Sequence, residues 1–266
     1  METRDLNGWD DFEAALRSLR ASAQPIEAIP LSSKLLFRGQ SDAAWELLST
    51  LERRVPHPMS WQNYMRLVRS TTSHVQTFTD RTWTIPQWHD VRDWGHDYDD
   101  QMKEIPAYDY WVYLRHHGFP SPLLDWSRSP YVGAFFAFRN ATAQRVAIYC
   151  YQETSTGGKG TQSDLPQISV HGPYVSAHQR HILQQCTYTT CSIFREQTWF
   201  YTKHSSVFEL GEADQDRLWK FTIPTTERLR VLKHLDEYNL NAYSLFPTED
   251  ALLETVALRE LEYRDR

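Results

Sequence analysis

Arg38 stands behind the apolar pair Leu36-Phe37 and ahead of Gly39 and Gln40. An arginine closing a buried strand is costly to desolvate without an anionic partner. The glycine beside it permits either close backbone approach or a positive φ. Together they suit a bidentate grip on a phosphate, a carboxylate or a ribose edge, and an internal bridge to Asp125 would satisfy the same arginine. Asp125 lies in Leu123-Leu124-Asp125-Trp126-Ser127-Arg128-Ser129-Pro130, where a carboxylate among apolar residues requires pairing or hydrogen bonds. It can orient Arg38, cap the helix that follows, or hold a substrate hydroxyl. Ser127 and Ser129 can cap that helix or present an anion site at its N-terminus.

Other constellations are weaker. His116 and His117 close a helix ahead of Gly118, and adjacent histidines point to different helix faces, so one is read as lining a site and the other as a surface group. His178, His181, Cys186 and Cys191 contain paired metal-ligand spacings, but four residues between the pairs leave little chain to fold around a tetrahedral ion. No metal is expected. Cys186 or Cys191 with His181 would make a nucleophilic pair only through a spatial coincidence, and small buried thiols are the simpler reading. The chain has no GxSxG, HExxH or GxGxxG pattern. Gly157-Gly158-Lys159-Gly160 lacks the spacing of a phosphate loop.

The elements that must position these residues follow from periodicity. Trp9, Phe12, Leu16 and Leu19 predict a helix over 9–20, and Met59, Tyr64, Leu67 and Val75 another over 59–80. Lys34 to Phe37 reads as a strand leading into a turn at Arg38-Gly39. Residues 82–105 read as a short helix and a loop. A helix over 107–117 stops at Gly118, and Leu123 to Trp126 forms a buried strand. Pro130 opens a helix with Tyr131, Ala134, Phe135 and Phe138 on its apolar face. Val146 to Tyr151 is a central strand, and 155–163 a Gly/Ser/Thr-rich loop. Further strands are expected at 187–194, 198–202, 205–210 and 217–223. Helices at 224–235 and 249–261 close the chain, the last with Leu253, Val256, Ala257 and Leu261 inward.

Helices, then strands, then helices give an α+β class rather than alternating βαβ units. No internal repeat or clean linker divides the 266 residues, so one domain over 1–266 with an α-rich insertion at about 55–105 is expected. Ten Trp, fourteen Tyr and twelve Phe supply its core material. Three cysteines, an odd number, argue for a reducing compartment. The N-terminus has no apolar signal-like run, and no segment approaches the roughly 18 apolar residues of a membrane span. A cytoplasmic protein without membrane association is expected. At net charge −6, without a basic stripe, the chain has no direct nucleic-acid signature.

Three blocks resemble the FRG family in order and spacing. Phe37-Arg38-Gly39-Gln40, followed by Trp45, Leu47 and Leu51-Glu52-Arg53-Arg54, is similar to the motif that names it. Leu114-Arg115-His116-His117-Gly118-Phe119-Pro120 with Leu123-Leu124-Asp125-Trp126-Ser127 and Ala134-Phe135-Phe136-Ala137 looks like its central block. Arg180 through Gln184-Gln185 to Tyr188 resembles a third block, and Leu245-Phe246-Pro247 a typical ending. Two departures are Ser121-Pro122, where the family often has Thr-Arg, and Cys186 in place of a glycine.

The family layout resembles the split sheet of ADP-ribosyltransferases and related NAD-consuming toxins. That resemblance implies a split antiparallel or mixed β-sheet core with N- and C-terminal helices. Arg38 would hold the pyrophosphate or ribose and Asp125 would orient Arg38. Ser127, Ser129, Gly39, Gln40, His116, Trp126 and Tyr188 would line the pocket. Gln184 would stabilise developing charge at the ribose, but a neutral amide can only hydrogen-bond. Glu196 and Glu209 are alternative carboxylates, with Glu209 the preferred substitute. The implied function is NAD or nucleotide binding with ADP-ribosyl transfer or NAD hydrolysis, in a toxin or antiphage effector that a protein partner or antitoxin could restrain. The alternative is a non-catalytic module that senses a nucleotide or a modification.

Overall fold

The apolar spacing of the first helix is repeated in its burial, with Trp9, Phe12, Leu16 and Leu19 inward. The computed structural model describes residues 1–22, 35–97, 103–153, 164–172, 175, 179–209 and 216–264. The chain begins β1 (Glu2–Asp5), α1 (Trp9–Ser22), β2 (Leu36–Gln40), α2 (Trp61–Thr79), α3 (Trp88–Val91) and α4 (Tyr108–His116). It continues β3 (Leu124–Ser127), α5 (Pro130–Phe138), β4 (Arg145–Gln152), β5 (Gln167–His171), α6 (Gln179–Leu183), β6 (Cys186–Arg195) and β7 (Thr198–Tyr201). It closes with α7 (Ser205–Glu209), β8 (Arg217–Pro224), α8 (Arg228–Glu237), α9 (Ala242–Leu245) and α10 (Glu249–Ala257), which runs into a π turn at Leu258–Glu262.

The strands form one mixed eight-stranded sheet in the order β1-β8-β4-β2-β3-β6-β5, with β7 also paired to β6. Only the β1–β8 pair is parallel among the described strands. Side chains alternate between faces along each strand. Phe37, Ile148, Cys150 and Phe221 therefore meet α1, α5 and α8 in one core. Leu123, Cys186, Tyr188 and Tyr201 meet α2 and α4 in a second. Leu36, Leu124, Trp126, Tyr149 and Tyr151 point the other way into a third. The mixed α+β class thus stands, and the 55–105 segment contributes α2 and α3.

Local signals fixed most boundaries. Ser129 caps α5 by accepting from the Val132 amide, and Pro130 occupies the first turn, where its missing N–H costs nothing. Gly118 has φ +85° just beyond α4, a conformation suited to glycine at a helix stop.

Three expectations change. β2 continues through Gly39 to Gln40 instead of turning after Phe37. Residues 205–209 are the short helix α7, which lends Val207 and Phe208 to the third core. On α10 the buried positions are Ala251 and Thr255, with Leu258 in the following π turn, while Leu253, Val256, Ala257 and Leu261 are exposed. Small residues win there because Thr255 Oγ1 must come close enough to accept the Tyr243 amide, at 3.1 Å. β1, β5, α6 and α9 carry no sequence signal strong enough to predict them. The expected loop at 155–163 lies outside the described residues.

Candidate functional site

The candidate site is an opening in the sheet. β2 pairs with β4 over five residues, but with β3 at a single position, Phe37 with Ser127. The two strands splay beyond that point, and the Arg38 side chain crosses the gap. Its Nη1 donates to the Asp125 main-chain carbonyl at 2.8 Å and lies 3.2 Å from Asp125 Oδ1. The guanidinium thus takes a carbonyl that a continued ladder would have used.

Arg115, in the last turn of α4, donates to the same Asp125 Oδ1 at 2.5 Å. Two guanidiniums converge on one carboxylate oxygen. Asp125 Oδ2 takes no hydrogen bond among the described residues, and the side chain is 37% exposed. Burial pushes the Asp125 carboxyl upward, but Arg115 and Arg38, with His116, outweigh it and hold the group well below the usual carboxylate range. Asp125 is therefore ionised at neutral pH. Burial lowers the Arg38 guanidinium and Asp125 opposes that shift, but an arginine stays protonated under ordinary conditions.

A cavity of about 220 Å³ fills the opening. Its wall includes Arg38, Gln40, Trp45, Arg53, Asp125 and Ser127, and Gly39, Trp126, Gly133, Phe136, Gln184 and Cys186 also line it. Among the described lining residues Asp125 is the one acid, so cations prevail. Of the described polar side-chain atoms on this wall, two are buried without partners: Arg38 Nε and Gln40 Oε1. Gln40 is 3% exposed, and its Nε2 is already given to the Glu46 carbonyl at 3.2 Å. An unpaired acceptor at that depth is expensive unless a ligand or water satisfies it.

The expected site residues divide into three groups. Arg38, Gln40, Asp125, Ser127, Trp126, Gly39 and Gln184 all reach the cavity wall. Several have structural duties there. Gly39 is the point where α5 crosses β2: a Cβ on it would lie 2.0 Å from the Gly133 carbonyl oxygen and 2.4 Å from the Ala137 nitrogen. Of the two roles open to this glycine, close approach is the one observed, and it is made to a helix. Trp126 is buried, its Nε1 donating to Thr189 Oγ1 at 2.8 Å. Ser127 donates to the Gln184 carbonyl at 2.7 Å and accepts from the Ser129 amide at 3.0 Å. Gln184 commits its own Nε2 to the Leu245 carbonyl at 3.1 Å.

His116, Tyr188 and Ser129 stand behind the wall. His116 Nε2 and the Tyr188 hydroxyl lie 2.7 Å apart, and Tyr188 is registered opposite Asp125 on β6. They back the carboxylate, while Ser129 is the α5 cap. Glu209 is not brought to the site. It ends α7 and is exposed, so the strand expected over 205–210, which was to carry it, does not exist. Glu196 sits exposed in the β6–β7 turn at φ 52°.

Cys186 and Cys191 are buried and face opposite sides of β6, Cys186 in the second core and Cys191 in the third. Burial raises the Cys186 thiol to about 12, with Asp125 adding to the effect, so it is not a thiolate nucleophile. His178 lies outside the described residues, and no group of potential metal ligands occurs among those described.

Arg115, Arg53 and Trp45 belong to the site, though their types alone did not assign them to it. Arg115 in a last helical turn reads as a partner of the helix dipole, so its bond to Asp125 has no local signature. A further neighbour is His204, 1% exposed, with Nε2 2.8 Å from Thr189 Oγ1. Burial, Arg38 and His171 lower it to about 3, so it is neutral.

Residues 33–145 match the family model described as FRG domain. The chain carries an FRG domain. The matched segment runs from ahead of β2 to the first residue of β4, and it holds Arg38, Gln40, Trp45, Arg53, Arg115, Asp125 and Ser127. The principal polar wall of the cavity is thus built by the FRG segment itself. Gln184, Cys186 and Tyr188 come from beyond it and close the back. No curated protein and no solved structure gives a significant match to the chain. No helix among the described residues is long and apolar enough to cross a membrane.

Proposed function

We propose that the FRG domain binds NAD or a closely related nucleotide in the β2–β3 opening and cleaves it, transferring ADP-ribose or releasing it to water. The observation that carries this reading is the polar inventory of the cavity. Guanidiniums from Arg38 and Arg53 suit phosphate oxygens, while Gln40 Oε1 and Asp125 Oδ2 are acceptors available to sugar hydroxyls. A ligand that is anionic at one point and hydroxylated at another satisfies both sets, and a nucleotide is such a ligand.

In the cleavage step the bond between nicotinamide and ribose C1′ breaks. Its electron pair leaves with nicotinamide, and positive charge develops on the ribose before a hydroxyl or water adds and loses its proton. Asp125 is the group that meets that charge, because it is ionised and faces the cavity. It takes the role first given to Gln184 or Glu209, since the Gln184 amide is engaged with Leu245 and Glu209 is exposed. An effector of this kind would deplete or modify cellular targets, which fits a toxin or defence role under the control of a protein partner.

One observation favours the alternative of a sensor. Asp125 spends part of its charge on two arginines, which weakens it as an electrostatic catalyst while leaving phosphate and hydroxyl recognition intact. Calorimetric titration of NAD into the wild type and Arg38→Ala, with nicotinamide release assayed on the same samples, separates the cases. Binding with release, both lost in Arg38→Ala, is expected. Binding without release assigns the site to sensing, and no binding by folded wild-type protein refutes the NAD reading.

A further inference from the structure

The cavity is too small for a dinucleotide. At about 220 Å³ it falls below the roughly 300–1,000 Å³ of pockets that enclose drug-sized ligands. One riboside half of NAD would occupy it, and the other half must continue through the mouth.

The mouth carries Trp45, an indole 48% exposed, with the Arg53 guanidinium carbon 5.9 Å from its ring centroid. The backbone beneath it is anchored on several sides. Ala43 donates to the Arg145 carbonyl at 2.9 Å and accepts from Lys220 Nζ at 2.6 Å, and Gln40 Nε2 reaches the Glu46 carbonyl. The Trp45 carbonyl itself faces the Tyr149 hydroxyl at 3.5 Å. A large aromatic on a pinned loop, half open to solvent beside a cavity with an unpaired buried acceptor, is a preorganised stacking surface. The Arg53 guanidinium carbon lies over this ring, and a guanidinium that meets an aromatic through its face keeps its in-plane donors for hydrogen bonds.

Resting on the nucleotide reading above, we infer that the dinucleotide binds in a divided fashion. The nicotinamide riboside half enters the cavity beside Asp125 and Gln40, the pyrophosphate lies between Arg38 and Arg53, and the adenine stacks outside on Trp45. Trp45 is then a specificity residue for the distal base, and a ligand without that base does not use it.

Calorimetric titration of NAD and of nicotinamide mononucleotide into wild type, Trp45→Ala and Trp45→Phe tests this, with thermal melts confirming that each variant is folded. Stacking of a base on an aromatic ring is lost in Trp45→Ala, so NAD should bind about 5- to 150-fold more weakly. The mononucleotide should bind that variant as it binds wild type, and Trp45→Phe should recover most of the NAD affinity. Unchanged NAD affinity in Trp45→Ala, or equal weakening of both ligands, overturns the divided mode while leaving the Arg38 pocket in place. If the wild type binds neither ligand, the nucleotide reading fails first and the divided mode with it.

Discussion

Gly39→Ala separates a packing role from a ligand role at the same residue. The added methyl carbon would lie 2.0 Å from the Gly133 carbonyl oxygen, 2.4 Å from the Ala137 nitrogen and 3.0 Å from the Ala137 Cα. All three atoms are backbone of α5, so no side chain can swing aside. Restoring ordinary contact of about 3.4 Å requires α5 and β2 to part by about 1.4 Å, and overpacking of this kind costs about 1–3 kcal/mol, more where nothing can yield. With α5 packed on β2 at the centre of the first core, the upper end applies. About 3 kcal/mol corresponds to a melting temperature lower by about 6–12 °C at this chain length. Gly133→Ala is the internal control, because its methyl would meet Phe37 Cβ at 3.2 Å and the Arg38 nitrogen at 3.5 Å. That mild crowding is offset by a helix-propensity gain of about 1 kcal/mol. Thermal and urea unfolding of the two variants should therefore differ sharply. A Gly39→Ala protein that melts with the wild type would refute the packing argument, and loss of ligand binding alone would return Gly39 to the ligand.

Other expectations follow from the arginine–aspartate cluster and from buried histidines. Asp125→Asn leaves Arg38 and Arg115 facing a neutral amide and should lower stability by about 1–3 kcal/mol, the partial exposure of Asp125 discounting the cost of breaking a buried pair; urea unfolding at pH 7 measures it, and no change would mean that both guanidiniums are satisfied elsewhere. Because the Asp125 carboxyl is held below its unfolded value of about 3.9, its contribution is complete above about pH 4 and is lost as pH falls toward the depressed value, so Asp125→Asn should flatten that acid slope. His204 is lowered to about 3 and His171 to about 4, chiefly by burial. Between pH 6.5 and those values the unfolded chain binds the extra protons, so stability should fall with decreasing pH by up to about 1.4 kcal/mol per unit for each histidine; His204→Gln should reduce the slope, and an unchanged slope would exclude His204 as its source. Ser129→Ala removes the α5 cap seen at the Val132 amide and should cost about 0.5–2 kcal/mol in the same unfolding assay.

Periodicity and capping residues read out the elements that carry their own signals. α1, α2, α4 and α5 announce themselves through apolar spacing, Gly118 and the Ser129-Pro130 start. Val207-Phe208-Glu209 shows the limit, since its β-like composition is overruled when Ser206 and Val207 donate back to Lys203 and His204 as a helical turn. α10 shows another, because burial there follows the close approach that Thr255 needs and not hydrophobicity. In the site, Arg38 and Asp125 were legible because each is an ionisable group among apolar neighbours. Arg115 was hidden because its partner is set by where α4 ends relative to β3. Trp45 was legible only as a position of the FRG-like block, because neither the fixed loop beneath it nor its open ring has a local sequence signature.

The bridge between Arg38 and Asp125 does not compete with a ligand role. A single carboxylate oxygen receives Arg115 and Arg38 together, and Arg53 brings a third cation to the mouth. A purely structural pair would balance one charge with one charge and bury both behind complete hydrogen bonding. Here the carboxylate keeps a free oxygen, Arg38 Nε is unpaired, and Gln40 Oε1 is buried without a donor. Asp125 therefore fixes the direction of the guanidiniums and leaves the cavity net positive. The splay of β2 from β3 is what makes this possible, because a continued ladder would close the gap that Arg38 crosses.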